Sequence, residues 1–271
     1  MTAAVVLMLS VTLALALILW LPEYRLKRAI RRPFPVHFSA ILKQNVPAFS
    51  RMPAELREQL QRLVQQFLHQ KKFIGCDGLR ITDEVRVTIA GKACMLLLNK
   101  PPRVYPDLQL VLVYPSAFIV PRDQIGIGGV VTHANQHLSG ESWNDGRVIL
   151  AWDHVKQGAT EYTNGHDVVL HEFAHQLDSE SGSTNGAPLL VTRASYQRWS
   201  AVLSHEFANL QQAAEYQIES VMDYYGATNP AEFFAVATET FFEKSAQMAE
   251  VHPALFEELK NYYRVDPRRW Q

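Results

Sequence analysis

The chain has 271 residues, of which 48% are hydrophobic and 20% are charged, so it is long enough to fold around a sizeable core. Its formal net charge of -1 excludes a protein that attracts nucleic acid through an overall positive field, and no nucleic-acid partner is expected. The two cysteines, Cys76 and Cys94, are too few for a cysteine-ligated zinc site, and we expect both to be reduced and buried.

The first predicted element is a transmembrane helix over residues 1–23. Residues 3–22 carry no charged side chain, and about 20 apolar residues are what a helix needs to cross the hydrocarbon core of a membrane. A cleavable signal peptide, the main alternative, would carry positive charge before the apolar run and a small-residue cleavage site after it. Here the basic side chains all follow the run, and Trp20 suits an interfacial anchor. The pattern predicts a single-pass anchor in the inner (cytoplasmic) membrane, with the rest of the chain in the cytoplasm.

Two segments follow the predicted anchor. Residues 24–50 are predicted to be a basic juxtamembrane linker, because three prolines interrupt any long helix there. Residues 51–271 are predicted to form the folded domain. Apolar residues at three- and four-residue steps predict an amphipathic helix near residues 53–72, and a second helix is predicted to start at Thr82.

Strand patterns occupy the middle of the domain. They lie at residues 109–114 and 147–152, with a weaker one at residues 126–131. After Asn164 the chain is predicted to be mainly helical. Helices, then strands, then helices favour the α+β fold class. The strand from Val148 to Trp152 is expected to pair with an extended peptide if it lies at an edge of the sheet, and an internal strand is the alternative.

The segment His171-Glu172-Phe173-Ala174-His175 is the strongest candidate for chemistry. Asn164 is a natural N-cap for the helix that contains this segment. On that helix the two histidines lie on one face, where they can take two corners of a zinc tetrahedron. Glu172 is placed to accept a proton from a metal-bound water. The alternative is an amphipathic helix with two surface histidines. The apolar residues around the pair favour burial, and burying these three side chains without a metal would be costly.

A catalytic zinc takes three protein ligands and one water, so a third ligand is expected. Glu232 falls in the first turn of an apolar helix that is predicted to start at Pro230, and Glu239 lies seven residues later on the same face. Asp178 shares a helix with both histidines, and three ligands from one helix cannot easily surround a metal. The residues alone favour Glu232 as the third ligand, and capping of its own helix is the alternative role for this side chain. Glu239 is the second choice for the third ligand, or a residue that hydrogen-bonds to one of the ligands.

These segments resemble a known family. His171-Glu172-Phe173-Ala174-His175-Gln176-Leu177-Asp178 and Asn229-Pro230-Ala231-Glu232-Phe233-Phe234-Ala235-Val236 are similar to the Mlc titration factor A family of bacterial zinc peptidases, which is related in its catalytic part to the anthrax lethal factor protease domain. The resemblance covers roughly residues 53–266 and implies a zincin-like (gluzincin-type) metallopeptidase domain.

The resemblance also implies roles for individual residues. His171, His175 and Glu232 would be the zinc ligands, and Glu172 would be the general base. Tyr225 would stabilise the oxyanion, although without the resemblance it would be a packing residue and Tyr224 is its rival. Asp178 would support the ligands or the local structure.

The expected function is hydrolysis of peptide bonds in a peptide or protein substrate by a zinc-activated water, as an endopeptidase or an aminopeptidase. The alternative is a membrane-tethered regulatory protein that sequesters a transcriptional regulator and keeps only vestigial peptidase activity. The sequence has no Gly-x-Ser-x-Gly elbow, phosphate loop or dinucleotide-binding turn, which makes other hydrolase classes weak candidates.

Overall fold

The computed structural model describes residues 2–101, 103–125, 131–138, 140–143 and 146–270. This part of the chain is mostly helical with a small sheet. The helices are α1 (Thr2–Ile30), α2 (Val36–Asn45), α3 (Pro47–Arg51), α4 (Ala54–Gln70), α5 (Asp83–Met95), α6 (Trp152–Thr160), α7 (Val168–Ser179), α8 (Arg193–Tyr216), α9 (Pro230–Glu243), α10 (Ser245–Val251) and α11 (Pro253–Tyr263). The strands are β1 (Lys72–Gly75), β2 (Leu110–Tyr114), β3 (Phe118–Ile125), β4 (Val131–Leu138), β5 (Gly140–Trp143) and β6 (Arg147–Ala151).

The main sheet has the strand order β1-β2-β6-β5. Strands β1, β2 and β6 are parallel, and β5 is antiparallel to β6. Val111 pairs with Val148 and Val113 with Leu150, and all four side chains are buried. Strands that are apolar in this way are typical of a sheet covered by helices. Strands β3 and β4 form a separate two-stranded antiparallel sheet.

The strands predicted at residues 109–114 and 147–152 are confirmed as β2 and β6. Strand β6 lies between β2 and β5, so it is not the edge strand that a peptide substrate would need, and the internal alternative is correct. The edge next to β6 is taken by β5. Residues 126–130 of the weaker strand pattern lie outside the described residues, and Val131 begins β4.

The two helices predicted before the sheet are confirmed. Helix α4 buries the apolar face that its spacing indicates, including Leu60, Val64 and Phe67. Thr82 is the N-cap of α5, where its hydroxyl accepts a hydrogen bond from the Val85 amide. Both helices contribute buried side chains to the hydrophobic core, which also contains residues of α7 and α9.

The N-terminal region differs from the predicted anchor and linker. Helix α1 continues past Pro22 to Ile30, and residues 36–51 form α2 and α3, whose Leu42 and Phe49 are buried in the core. The segment predicted as a linker therefore contributes apolar contacts to the folded domain. Among the described residues, no helix combines the length and the apolar character that crossing a membrane requires, so the predicted transmembrane helix is not supported.

Candidate active site

Helix α7 holds the two histidines and begins at Val168, not near Asn164 as predicted. Its N-cap is Asp167, whose Oδ1 accepts hydrogen bonds from the amides of Val169 (2.9 Å) and Leu170 (3.1 Å). The Asn164 side chain accepts from the His166 amide within the preceding turn. The apolar side of α7 is fixed in the core, because the Phe173 ring packs against aromatic rings of the neighbouring elements.

The structure brings the three predicted ligands together. Oε2 of Glu232 lies 3.0 Å from Nε2 of His171 and 3.4 Å from Nε2 of His175. One ligand atom from each of the three residues lies within 4.8 Å of the others. Glu232 does not cap its own helix, because the Asn229 side chain accepts from the first free amides of α9.

This donor set fits a metal ion. Zinc bonds of 2.0–2.1 Å in a tetrahedron place neighbouring ligand atoms about 3.3 Å apart. The two distances from Glu232 Oε2 to the imidazole nitrogens are close to this value. Two imidazoles and one carboxylate are also a ligand set that leaves a fourth position for water.

Glu239 is not a fourth member of this cluster but a partner of one of its histidines. Its Oε1 lies 2.7 Å from Nδ1 of His171, and its Oε2 accepts a hydrogen bond of 2.6 Å from the Asp167 amide. With a metal ion bound, an ionised Glu239 would accept the Nδ1 proton and leave the lone pair of Nε2 for the ion. The carboxylate therefore fixes the orientation of the His171 ring.

The carboxyl groups of the site differ in their electrostatic surroundings. Burial raises the pKa of Glu172 to about 7, against the attraction of the two neighbouring histidines. Burial also acts to raise the pKa of Glu232, but hydrogen bonds from His171 and His175 outweigh it and hold that pKa well below its usual range. Burial lowers the pKa of His171, yet Glu239 and Glu232 together raise it well above its ordinary value. A glutamate with a pKa near neutrality is suited to general-base chemistry.

Tyr225 lies at the same cleft as Glu172. The cleft has a volume of about 470 Å³, and both side chains line it together with His171. Tyr225 belongs to a 3₁₀ turn, is 48% exposed, and its ring centroid is 5.9 Å from that of His171. The hydroxyl of its rival, Tyr224, donates to the backbone oxygen of Ile218.

Strand β5 approaches the site through a glycine. A Cβ atom at Gly140 would lie 2.5 Å from Oε1 of Glu172, which is too close for any other residue unless the glutamate moved. Glycine therefore allows the edge strand to pack directly on α7 beside the candidate base.

Comparison with known proteins places this site in a family. A family model described as the glucose-regulated metallo-peptidase M90 matches residues 21–264. The chain belongs to the M90 metallopeptidase family. It is 43% identical over 249 residues to an uncharacterized protein of Synechocystis sp., covering 92% of this chain and 90% of the relative. It is 31% identical over 234 residues to Mlc titration factor A of Yersinia pestis, covering 84% and 86%.

The predicted resemblance is thus confirmed at the level of the family. The M90 match begins at residue 21 and so includes the region that was predicted to be a linker. Membership supports a metallopeptidase domain and a metal at the cluster of His171, His175 and Glu232.

The M90 domain has a buried charge network behind the site that the sequence did not single out. Lys92 Nζ lies 2.6 Å from Asp167 Oδ2, and both side chains are only 3% exposed. Glu243 accepts a hydrogen bond from the Gly165 amide, and burial together with the nearby Asp167 raises its pKa to about 9. The sequence feature that could have indicated this network is Lys92, a single lysine within the otherwise apolar second half of α5.

Asp178, the other acidic candidate in the M90 site, does not join the cluster. Its Oδ2 accepts a hydrogen bond of 2.6 Å from the Gly186 amide, and burial raises its pKa. The carboxyl therefore ties the loop after α7 to the end of that helix, which agrees with the expected structural role.

Proposed function

We propose that this protein is a zinc metallopeptidase that hydrolyses peptide bonds. The observation that carries the proposal is the convergence of His171, His175 and Glu232, with Glu172 buried beside them in an open cleft. Imidazole and carboxylate donors suit zinc, and the three residues would be its protein ligands.

The residues of the chain have distinct roles in the proposed reaction. A zinc ion held there would lower the pKa of its water and polarise the peptide carbonyl. Glu172, which is buried beside the cluster and lines the cleft, takes the proton from the attacking water and delivers it to the leaving amine. Tyr225 donates a hydrogen bond to the carbonyl oxygen as negative charge develops on it. Glu239 keeps His171 in its ligand orientation.

We also propose that the substrate binds as an extended strand along β5. Among the described residues this strand is at the edge of the main sheet, and it packs on α7 through Gly140. Edge strands offer unpaired backbone groups to which a peptide adds by main-chain hydrogen bonds. Such binding would recognise the peptide mainly through its backbone and only weakly through its side chains.

The substitution Glu172→Gln tests the proposed function. Glutamine keeps the size of the side chain but cannot accept the proton, so turnover of chromogenic peptides should fall by about 10²–10⁴-fold while the zinc content is unchanged. Glu219→Gln, at an exposed glutamate outside the cleft, is the control and should keep full activity. Equal product release by zinc-loaded wild type and Glu172→Gln would show that the activity does not belong to this site.

A second function is favoured by the names of the relatives, several of which are called Mlc titration factor A. In this alternative the chain is a zinc-containing regulatory protein that sequesters a transcriptional regulator, and peptide hydrolysis is vestigial. Absence of cleavage by both the wild type and Glu172→Gln, with both retaining the same protein partner, would favour this function.

Attachment to the inner membrane, with the catalytic domain in the cytoplasm, stays a prediction. It rests on the basic residues that follow the apolar run, and α1 does expose apolar side chains such as Leu7, Met8 and Ile18. Protease treatment of spheroplasts measures it, because the cytoplasmic domain should be protected until the membrane is opened. Digestion from the outer face would reverse the predicted orientation, and recovery of all the protein without membranes would exclude attachment.

A further inference from the structure

A second cavity lies at the far end of α7 and shares no lining residue with the metal cleft. Its volume is about 420 Å³, within the range of small-molecule sites. Its walls come from the chain after α5, the end of α7, residues 189–199 and α11. Much of the lining is apolar, and the side chains that matter here are Leu97, Leu177, Leu189, Leu190, Trp199 and Tyr262.

Lys100 is the polar group that distinguishes this cavity. Its ammonium nitrogen lies 3.5 Å from the centroid of the Tyr262 ring and 4.8 Å from that of Tyr263. Within the described part of the chain, the nitrogen has contacts with these two rings and no hydrogen-bond acceptor. Burial lowers the pKa of Lys100 to about 7, and the attraction of Glu180 does not restore it. The pocket therefore presents an amine whose charged form an incoming anion would stabilise.

The other charged groups of the cavity leave an excess of positive charge. The lining includes four basic residues, Lys100, Arg103, Arg198 and Arg264, and two acidic residues, Glu180 and Glu258. Arg198 lies 3.4 Å from Glu258, so this pair is largely neutralised locally. Of the remaining charged residues, Lys100, Arg103 and Arg264 are basic and only Glu180 is acidic. A monoanion is complementary to this arrangement, whereas a cation is not.

We infer that this cavity binds a carboxylate with an apolar body, whose charged group contacts Lys100 and whose apolar part lies against Trp199, Tyr262 and the leucines. A charge-assisted hydrogen bond at the ammonium and burial of apolar surface together fix the orientation of such a ligand. The same chemistry occurs in a medium-chain fatty acid and in the C-terminal residue of an apolar peptide.

Calorimetric titration of the full-length protein with octanoate tests the inference. Octanoate contains no peptide bond, so the result does not depend on the proposed peptidase activity. Saturable binding to the wild type should be weakened about 10-fold or more in Lys100→Met, because the variant loses the charged donor and keeps the aliphatic length. Lys260→Met is the matched control, since Lys260 on α11 is ion-paired with Glu257 and does not line the cavity.

A second variant tests the inference independently in case Lys100→Met does not fold. Leu189 lines the cavity and is 56% exposed, so Leu189→Asp places a repelling charge at the entrance without removing core packing. Ile218, 55% exposed and outside the cavity, gives the matched control Ile218→Asp. Weakened octanoate binding in Leu189→Asp, and not in Ile218→Asp, is the expected result.

The remaining titrations test whether the charged head group is needed, and whether the ligand is a fatty acid or a peptide C-terminus. Octanamide, which lacks the charge, should bind at least about 10-fold more weakly than octanoate. Tighter binding of N-acetyl-leucine than of octanoate, again dependent on Lys100, would assign the site to peptide C-termini, and the reverse order would assign it to fatty acids. Octanoate binding that is undetectable, equal to that of octanamide, or unchanged in Lys100→Met and Leu189→Asp would overturn the inference.

Discussion

Two carboxylates on one helix hold both nitrogens of a single histidine. Glu232 and Glu239 are seven residues apart on α9, and they contact Nε2 and Nδ1 of His171 respectively. A spacing of seven places both side chains on the same face of a helix. One helix therefore supplies a proposed metal ligand and also the group that orients another ligand, so small shifts of α9 would disturb both.

Tyr225 gives a prediction at the scale of a single hydroxyl. Tyr225→Phe should reduce kcat for chromogenic peptides by about 10²–10³-fold, because it removes one donor to the developing oxyanion. Zinc content should stay at the wild-type level. Tyr224→Phe is the control, since the Tyr224 hydroxyl is bonded to the Ile218 backbone and should affect stability more than turnover. An unchanged kcat in Tyr225→Phe would remove this residue from the proposed mechanism.

The part of the candidate metal cluster that each helix contributes could be predicted from the sequence, because that information is local. Spacings of four on α7 and seven on α9 fix which side chains share a face, and the apolar neighbours indicate burial. The role of Gly140 could not be predicted in this way. Its need for a small side chain arises only when β5 packs against Glu172, and no local pattern records that contact.

The start of α7 shows how tertiary contacts decide a helix boundary. Asn164 and Asp167 are both good N-cap residues in the sequence. Asp167 is the cap in the structure, where its other carboxylate oxygen pairs with Lys92 of α5. The edge position of β5 is a similar case, because the order of strands in a sheet depends on pairings between distant segments.

Lys92 gives a prediction at the scale of packed elements. Lys92→Met should reduce the free energy of unfolding by about 3–5 kcal/mol, because it leaves Asp167 buried without its partner. Chemical denaturation measures this, and Lys43→Met, at an exposed lysine of α2, should change stability little. Combining Lys92→Met with Asp167→Asn should recover part of the loss, since asparagine still caps α7 and carries no charge. A loss in the double variant equal to the sum of both single losses would argue against the coupling.

At the scale of the whole molecule, the candidate metal centre joins two helices that are distant in sequence. Helix α7 carries His171 and His175, and α9 carries Glu232 some sixty residues later. Contacts of 3.0 Å and 3.4 Å from Glu232 to the imidazoles of His171 and His175 already link the two helices. A bound metal would connect the sheet side of the domain to its C-terminal helices.

Removal of the metal should therefore lower the thermal stability of the entire domain. An ion that binds only the folded state contributes about 2.7 kcal/mol when its free concentration is 100 times Kd. For a domain of this size each kcal/mol shifts Tm by about 2–4 °C, so the zinc-loaded protein should melt about 5–10 °C above the chelator-treated protein. The variant His171→Ala with His175→Ala is the control, and its Tm should not respond to zinc because two of the three ligands are gone. An equal zinc-dependent shift in that variant would mean that the stabilising metal binds elsewhere on the chain.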